Sequence, residues 1–107
     1  MATTIKVLGQ SIPSAASLTT LYTAPSSAVC SSIVVCNQSA TPTTFRIAVR
    51  PAGAFIASQM YLYYDVAIAG NDTFVSTIGI TLAASDVVSV YATLATVSFN
   101  LFGKESS

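Results

Sequence analysis

The sequence predicts an all-β protein, an antiparallel β-sandwich of about seven or eight short strands, on three observations. Apolar and polar residues alternate with a period of two in several runs, which gives each run one apolar face. Clusters of Gly, Pro, Asn, Asp and Ser recur at roughly 8–12-residue spacing and read as turns. No segment of useful length repeats at the helical period. Residues 1–17 are expected to form an extended N-terminal arm or edge strand plus a linker, 18–103 the sandwich, and 104–107 a polar tail.

The stretch from Ala28 to Arg50 carries the clearest signal. Phe45, Ile47 and Val49 fall on one face, and Thr44, Arg46, Ala48 and Arg50 on the other, as in a half-buried strand. Val29–Cys36 is apolar on both faces apart from Ser31 and Ser32, which predicts a central strand covered on both sides. Asn37 to Pro42 breaks the two runs, since Asn and Ser favour turns and Pro has no N–H for a ladder. The expectation is a strand pair joined by a polar turn.

The other elements follow in order. Thr3 to Gln10 is a short apolar segment, an edge strand or an arm reaching a neighbour. Ser11 to Ser17 reads as a linker around Pro13, and Leu18 to Thr23 is β-prone. Pro51-Ala52-Gly53 turns the chain, and Ala54 to Gln59 is a loop or a single helical turn. Met60 to Ile68 is a strand with Leu62, Tyr64, Val66 and Ile68 on one face and Tyr61, Tyr63 and Asp65 on the other. Thr73 to Leu82 reads as one strand with Phe74, Ile78, Ile80 and Leu82 on a face, interrupted by Ser76. Gly79 within it suggests a bulge or a close backbone approach. Val87 to Ala92 and Val97 to Leu101 are further strands, and the end from Gly103 is a polar tail, loose at its terminus.

At 107 residues the chain is one domain, large enough for a single core without staples. Only 7% of residues are charged and the net charge is zero, against about 25% charged in ordinary domains. Lys6, Arg46, Arg50 and Lys104 are too few and too scattered to track a phosphate backbone, so no nucleic acid is expected. No apolar run approaches the roughly 20 residues of a membrane helix, and no secretory signal is visible at the start. A neutral surface with few charged residues is poorly protected against association, which suits a subunit of a larger assembly.

Chemistry is hard to place on such a chain. It has no His, so Ser-His-Asp and Cys-His catalysis lack their usual base, and the two lysines lie near the termini. Asp65, Asp72 and Asp86 have no calcium-loop spacing, and Asp72 and Asp86 read as turn residues. Asn37-Gln-Ser39 and Asn71-Asp-Thr73 match the glycosylation sequon and also read as turns. Cys30 and Cys36 share a parity about 20 Å apart on one strand, too far for a disulfide, and are expected as free, mostly buried thiols. No catalytic, metal or cofactor residue is nominated. Tyr61 and Tyr63 are candidate interface residues, tyrosine suiting a partly wet contact. With Asp65 on the same face they could instead stack on a sugar and accept its hydroxyls. Ile5, Val7 and Leu8 are further interface candidates, able to add a strand to a neighbour's sheet edge.

Several runs resemble small virion proteins of tailed bacteriophages. They are Leu21-Tyr-Thr-x-Pro25, Ser32-Ile-Val-Val-Cys-Asn37, Thr44-Phe-Arg-Ile-Ala-Val49, Tyr63-Tyr-Asp65, Asn71-Asp-Thr73, Gly79-Ile-Thr-Leu-Ala-x-x-Asp-Val-Val-x-Val-Tyr91 and Val97-x-Phe-x-Leu-Phe-Gly-x-Glu105. Together they cover nearly the whole chain. The resemblance implies a non-enzymatic structural component of the virion, assembled in the host cytoplasm. The first expectation is a capsid decoration or cement protein, homo-oligomeric and bound to the major capsid protein or other virion proteins. A tail, baseplate, neck or fibre component is the alternative, and a host-glycan binding module the second. The resemblance carries no catalytic residues and no cofactor.

Overall fold

The computed structural model describes residues 3–106. Its strands are β1 (Thr3–Ser11), β2 (Thr19–Thr23), β3 (Ser27–Asn37), β4 (Thr43–Arg50), β5 (Tyr61–Ile68), β6 (Thr73–Ser76), β7 (Ile80–Leu82), β8 (Val87–Ala92) and β9 (Val97–Ser106). One sheet has the order β1-β9-β3-β6, with β7 also on β3; the other has the order β2-β8-β4-β5. Every pairing is antiparallel, and the expected all-β sandwich is what forms. Among the described residues the only helical segments are the 3-10 turns Pro51–Gly53 and Ser58–Met60, and no helix is long and apolar enough to cross a membrane.

The pairing is nested. Thr3 lies opposite Ser106, Thr19 opposite Val90, Ala28 opposite Leu82, Cys36 opposite Thr73, Thr43 opposite Ile68, and Ala48 opposite Tyr61. The chain is therefore one long hairpin with its tip between Arg50 and Tyr61. It is rolled so that successive rungs fall alternately into the two sheets. That is the jelly-roll arrangement, with the strand position between β5 and β8 split into β6 and β7.

Between the sheets lie Phe45 and Ile47 of β4, Ile33 and Val35 of β3, Val88 and Val90 of β8, and Val97, Phe99 and Leu101 of β9, all fully buried. The alternation read in Thr44–Arg50 places Phe45 and Ile47 here. Phe45 bridges the layers, with its ring centroid 5.1 Å from that of Phe74 and 6.2 Å from that of Phe99. Contacts of this kind add to area burial when the rings are tilted or edge-on.

Several expectations need correction. β3 and β4 are not paired: they lie in opposite sheets, and residues 38–42 cross the sandwich between them. The cause is Asn37, whose buried amide donates to the carbonyls of Thr41 (2.8 Å) and Ala69 (3.2 Å). Its Oδ1 accepts from Ser39 N (3.2 Å) and Thr96 Oγ1 (3.1 Å). A side chain holding four groups from three loops fixes a crossing rather than a hairpin turn, so Asn37 is a turn residue as expected and also a tie between loops.

β3 is covered on one side only: Ala28, Cys30, Ile33 and Val35 are buried, while Val29 and Ser31 are exposed. A bulge between Cys30 and Ser32 shifts the register against β9. The parity expected of the two cysteines is lost there, and Cys30 is buried while Cys36 is only partly so. Both are free thiols.

Of the two readings of the N-terminal segment, the edge strand is the one that forms, along β9. The expected tail is not a tail, because β9 runs to Ser106 as an interior strand flanked by β1 and β3. Alternation ends at Gly103 for a packing reason: a Cβ there would lie 2.1 Å from the Val29 carbonyl oxygen and 2.8 Å from Cys30 Cα. Thr73–Leu82 is two strands, broken around Gly79, whose φ of +72° is the left-handed conformation glycine adopts freely. Nothing crowds Gly79, so it serves the bend and not a close approach, and Ile78 beside it is exposed instead of facing inward.

Candidate functional site

The tyrosine cluster is arranged by two irregularities in β5. The register against β4 shifts between Phe45 and Ile47 and again between Ile47 and Ala48, and Asp65 sits at φ +50°. These bulges re-aim the side chains. Tyr63 turns inward, its ring edge-on to Phe74 at 5.3 Å and its hydroxyl 2.6 Å from the buried Ser76 Oγ. Tyr61 and Tyr64 meet on the outer face, edge to face at 5.0 Å. The expected shared face of Tyr61, Tyr63 and Asp65 does not exist. The cause is that a bulge inserts a residue and reverses the alternation.

Arg46 occupies the centre of the outer cluster. Its guanidinium carbon lies 4.2 Å from the Tyr64 ring centroid and 4.3 Å from that of Tyr91, with Tyr61 at 5.9 Å. Its Nε and Nη2 donate to the two Asp65 oxygens at 2.6 and 3.3 Å. The hydrogen bond to Asp65 pushes the Arg46 pKa above its ordinary value. Arg46 thus lies over the Tyr64 and Tyr91 rings and engages both Asp65 oxygens, so the rings and acceptor read on one face are instead divided between an inward Tyr63 and an arginine-centred outer cluster. Sequence reasoning placed neither Arg46 nor Tyr91 with the tyrosines of β5, because they come from β4 and β8 and meet β5 only through the fold.

The hairpin tip between β4 and β5 presents a second surface. Arg50 Nε donates to the Ala54 carbonyl (2.7 Å), and Nη2 to that of Gly53 (3.0 Å). The Asp86 carboxylate accepts from the backbone N–H of Ala52 and of Ala83, each at 2.9 Å. Those bonds, the Ala52 one foremost, hold the Asp86 pKa below its ordinary value. Asp86 is thus a turn residue as expected, and so is Asp72, which accepts from Thr73 N at 2.9 Å. A loop read as ambiguous is therefore pinned at its base, and it holds Phe55 outward at 94% exposure, with Ile56 and Leu62 also exposed.

The third surface is the outer face of the β1-β9-β3 sheet. Ile5 (84% exposed), Val7 and Val29 line a shallow apolar cleft of about 410 Å³ with Phe102 and the stem of Lys104. Of the interface candidates on β1, Ile5 and Val7 are available and Leu8 is not. The register shifts between Val7 and Gly9, and the added residue, Leu8, turns into the core.

At one end of the sandwich a polar latch joins the layers. Tyr22 of β2 donates its hydroxyl to Glu105 Oε2 at 2.5 Å, and Lys6 Nζ lies 3.2 Å from Oε1. The Tyr22 hydrogen bond, with help from Lys6, lowers the Glu105 pKa. Burial foremost, then the same carboxylate, raises that of Tyr22.

Among the described residues no group of three or more His, Cys, Asp or Glu side chains could hold a metal ion. Burial pushes the Cys30 thiol up to about 11, which disfavours the reactive thiolate. The arrangement offers non-covalent contact: an apolar sheet face, a fixed aromatic tip, and a ring cluster closed by its own arginine. No protein-family model, curated protein or solved structure matches the chain.

Proposed function

We propose that this chain is a non-enzymatic structural protein of a bacteriophage virion, a capsid decoration or cement protein that stabilises the shell through subunit contacts. The observation that carries the reading is the amount of apolar side chain left in solvent on a chain with so few charges. Ile5, Val7, Ile12, Val29, Phe55, Ile56, Leu62, Tyr64, Val75 and Ile78 are all exposed. Exposed apolar patches on monomers usually mark sites of association. Covering them contributes about 25 cal/mol per Å² of apolar area, before the costs of association. Jelly rolls serve in viral capsids and also in lectins and cupins, so the fold is compatible with the role and does not assign it. The phage-like sequence runs supply the particle.

The test is the copy number of this protein in purified virions relative to the major capsid protein, by quantitative mass spectrometry. A ratio of one, or a simple fraction of it, fits decoration of the shell. A few copies per particle moves the protein to the tail, neck or fibres, and absence from the particle overturns the virion reading.

A further inference from the structure

We propose that the outer edge of β1 along Thr3–Val7 is where two copies of this chain join, edge to edge, across a two-fold axis near Ile5. A sheet edge presents unpaired backbone N–H and C=O groups that another strand can satisfy, and folded proteins usually blunt such edges. Three of the four edges here are blunted. β2 is five residues long and irregular in register between Thr20 and Tyr22. β5 carries two register shifts and the positive φ of Asp65. The β6–β7 edge is broken between Ser76 and Ile80.

β1 is different. It has nine residues without proline, is paired on one side to β9, and has its one register shift beyond Val7. In its later half β2 of the other sheet packs closely against it, a Cβ on Gly9 lying 2.4 Å from the Leu21 carbonyl oxygen, whereas all five residues of Thr3–Val7 are exposed. Thr3–Val7 is what remains open.

The occupant we assign is a second copy. An antiparallel pairing centred on Ile5 sets Ile5 against Ile5, a β-branched pair of the kind that stabilises facing strands. The same register sets Thr3 against Val7 and Lys6 against Thr4, so no like charges lie directly opposite. The charge of Lys6 is already balanced by Glu105 of its own chain at 3.2 Å, and the net charge of the chain is zero. The apolar clefts that include Ile5 and Val7 would then meet at the axis and form one strip across both copies. An isologous contact of this type closes as a dimer. It needs no virion, so its failure is separable from that of the virion reading.

The test is the solution mass of the purified chain by light scattering on a sizing column across a concentration series. We expect twice the 11.0 kDa chain mass, falling to the single-chain mass in Ile5→Lys/Val7→Lys. Both side chains are exposed, so circular dichroism should show the fold retained. Phe55→Ser should leave the dimer intact. If the lysine variant does not fold, hydrogen exchange on the unaltered protein decides. Amides in residues 3–7 should become more protected as concentration rises. A single-chain mass at every concentration overturns the proposal. So does a dimer that survives both lysines or dissociates with Phe55→Ser.

Discussion

The Tyr22 hydroxyl and the Glu105 carboxylate, 2.5 Å apart, join β2 of one sheet to β9 of the other. The bond ties the end of the chain to its beginning, because the same carboxylate meets Lys6 of β1. Glu105 has a folded pKa below its ordinary 4.5. A carboxyl of this kind contributes stability above its unfolded pKa and loses it as pH falls through the folded one. Unfolding midpoints in urea should therefore fall as pH drops below 4.5. Tyr22→Phe should lower stability near neutrality and make the acid loss shallower. Asp86, also depressed, adds to the same acid limb, so Tyr22→Phe should reduce the slope and not abolish it. An unchanged slope would mean that the latch is not formed in solution.

Gly103 and Gly79 make opposite predictions from the same substitution. Alanine at 103 would drive a methyl group into the Val29 carbonyl, a backbone atom with little room to move at the β3 bulge. The cost should be at least the 1–3 kcal/mol or so of an overpacked core, enough to lower the melting temperature by several degrees. Alanine at 79 meets nothing within 4 Å. It should cost only the left-handed conformation, about 1–2 kcal/mol. Thermal unfolding of the two variants ranks them, and a larger loss at 79 would refute the close approach at 103.

Tyr63 offers a direct check on which way β5 faces. Removing its hydroxyl leaves the buried Ser76 Oγ without a partner. Tyr63→Phe should therefore lower stability by about 1–3 kcal/mol, the cost of stranding a buried polar group. Tyr61→Phe, on the outer face, should stay within about 0.5 kcal/mol. Denaturant melts of both variants suffice. The reverse order would restore the alternating face read from the sequence, and with it the sugar-stacking set.

The sequence made the strands legible and left their partners illegible, for a local reason and a global one. Alternation placed Phe45 and Ile47 correctly, because nothing interrupts the strand between them. It failed at Tyr63 and the Cys30–Cys36 pair, each of which follows or spans a bulge, and the exposure expected of Leu8 as an interface residue failed at a bulge of its own. One inserted residue reverses every later side chain. The pairing of β3 with β9 rather than β4 was out of reach because rolled hairpins put sequence neighbours in opposite sheets. Glu105 looked like part of a tail for the same reason, since its partners are Tyr22 and Lys6 at the other end of the chain. The Arg46 cluster draws on three strands, and composition alone could not collect them.

Phe55 separates the contact surface from the fold. Its ring is almost fully in solvent, while the loop beneath is pinned by Arg50 and Asp86. A preorganised aromatic tip can enter a partner's pocket with little ordering cost, and such residues dominate many interfaces. Phe55→Ser should leave the urea midpoint within about 0.5 kcal/mol of the unaltered protein, as surface changes do. If the tip contacts the shell, affinity for purified particles should drop at least tenfold, which corresponds to about 1.4 kcal/mol of binding. Arg50→Ala should weaken binding as well, by freeing the loop, while costing some stability through the loss of the Ser89 contact at 3.4 Å. Unchanged affinity in both variants would exclude the tip and leave the apolar sheet face as the contact.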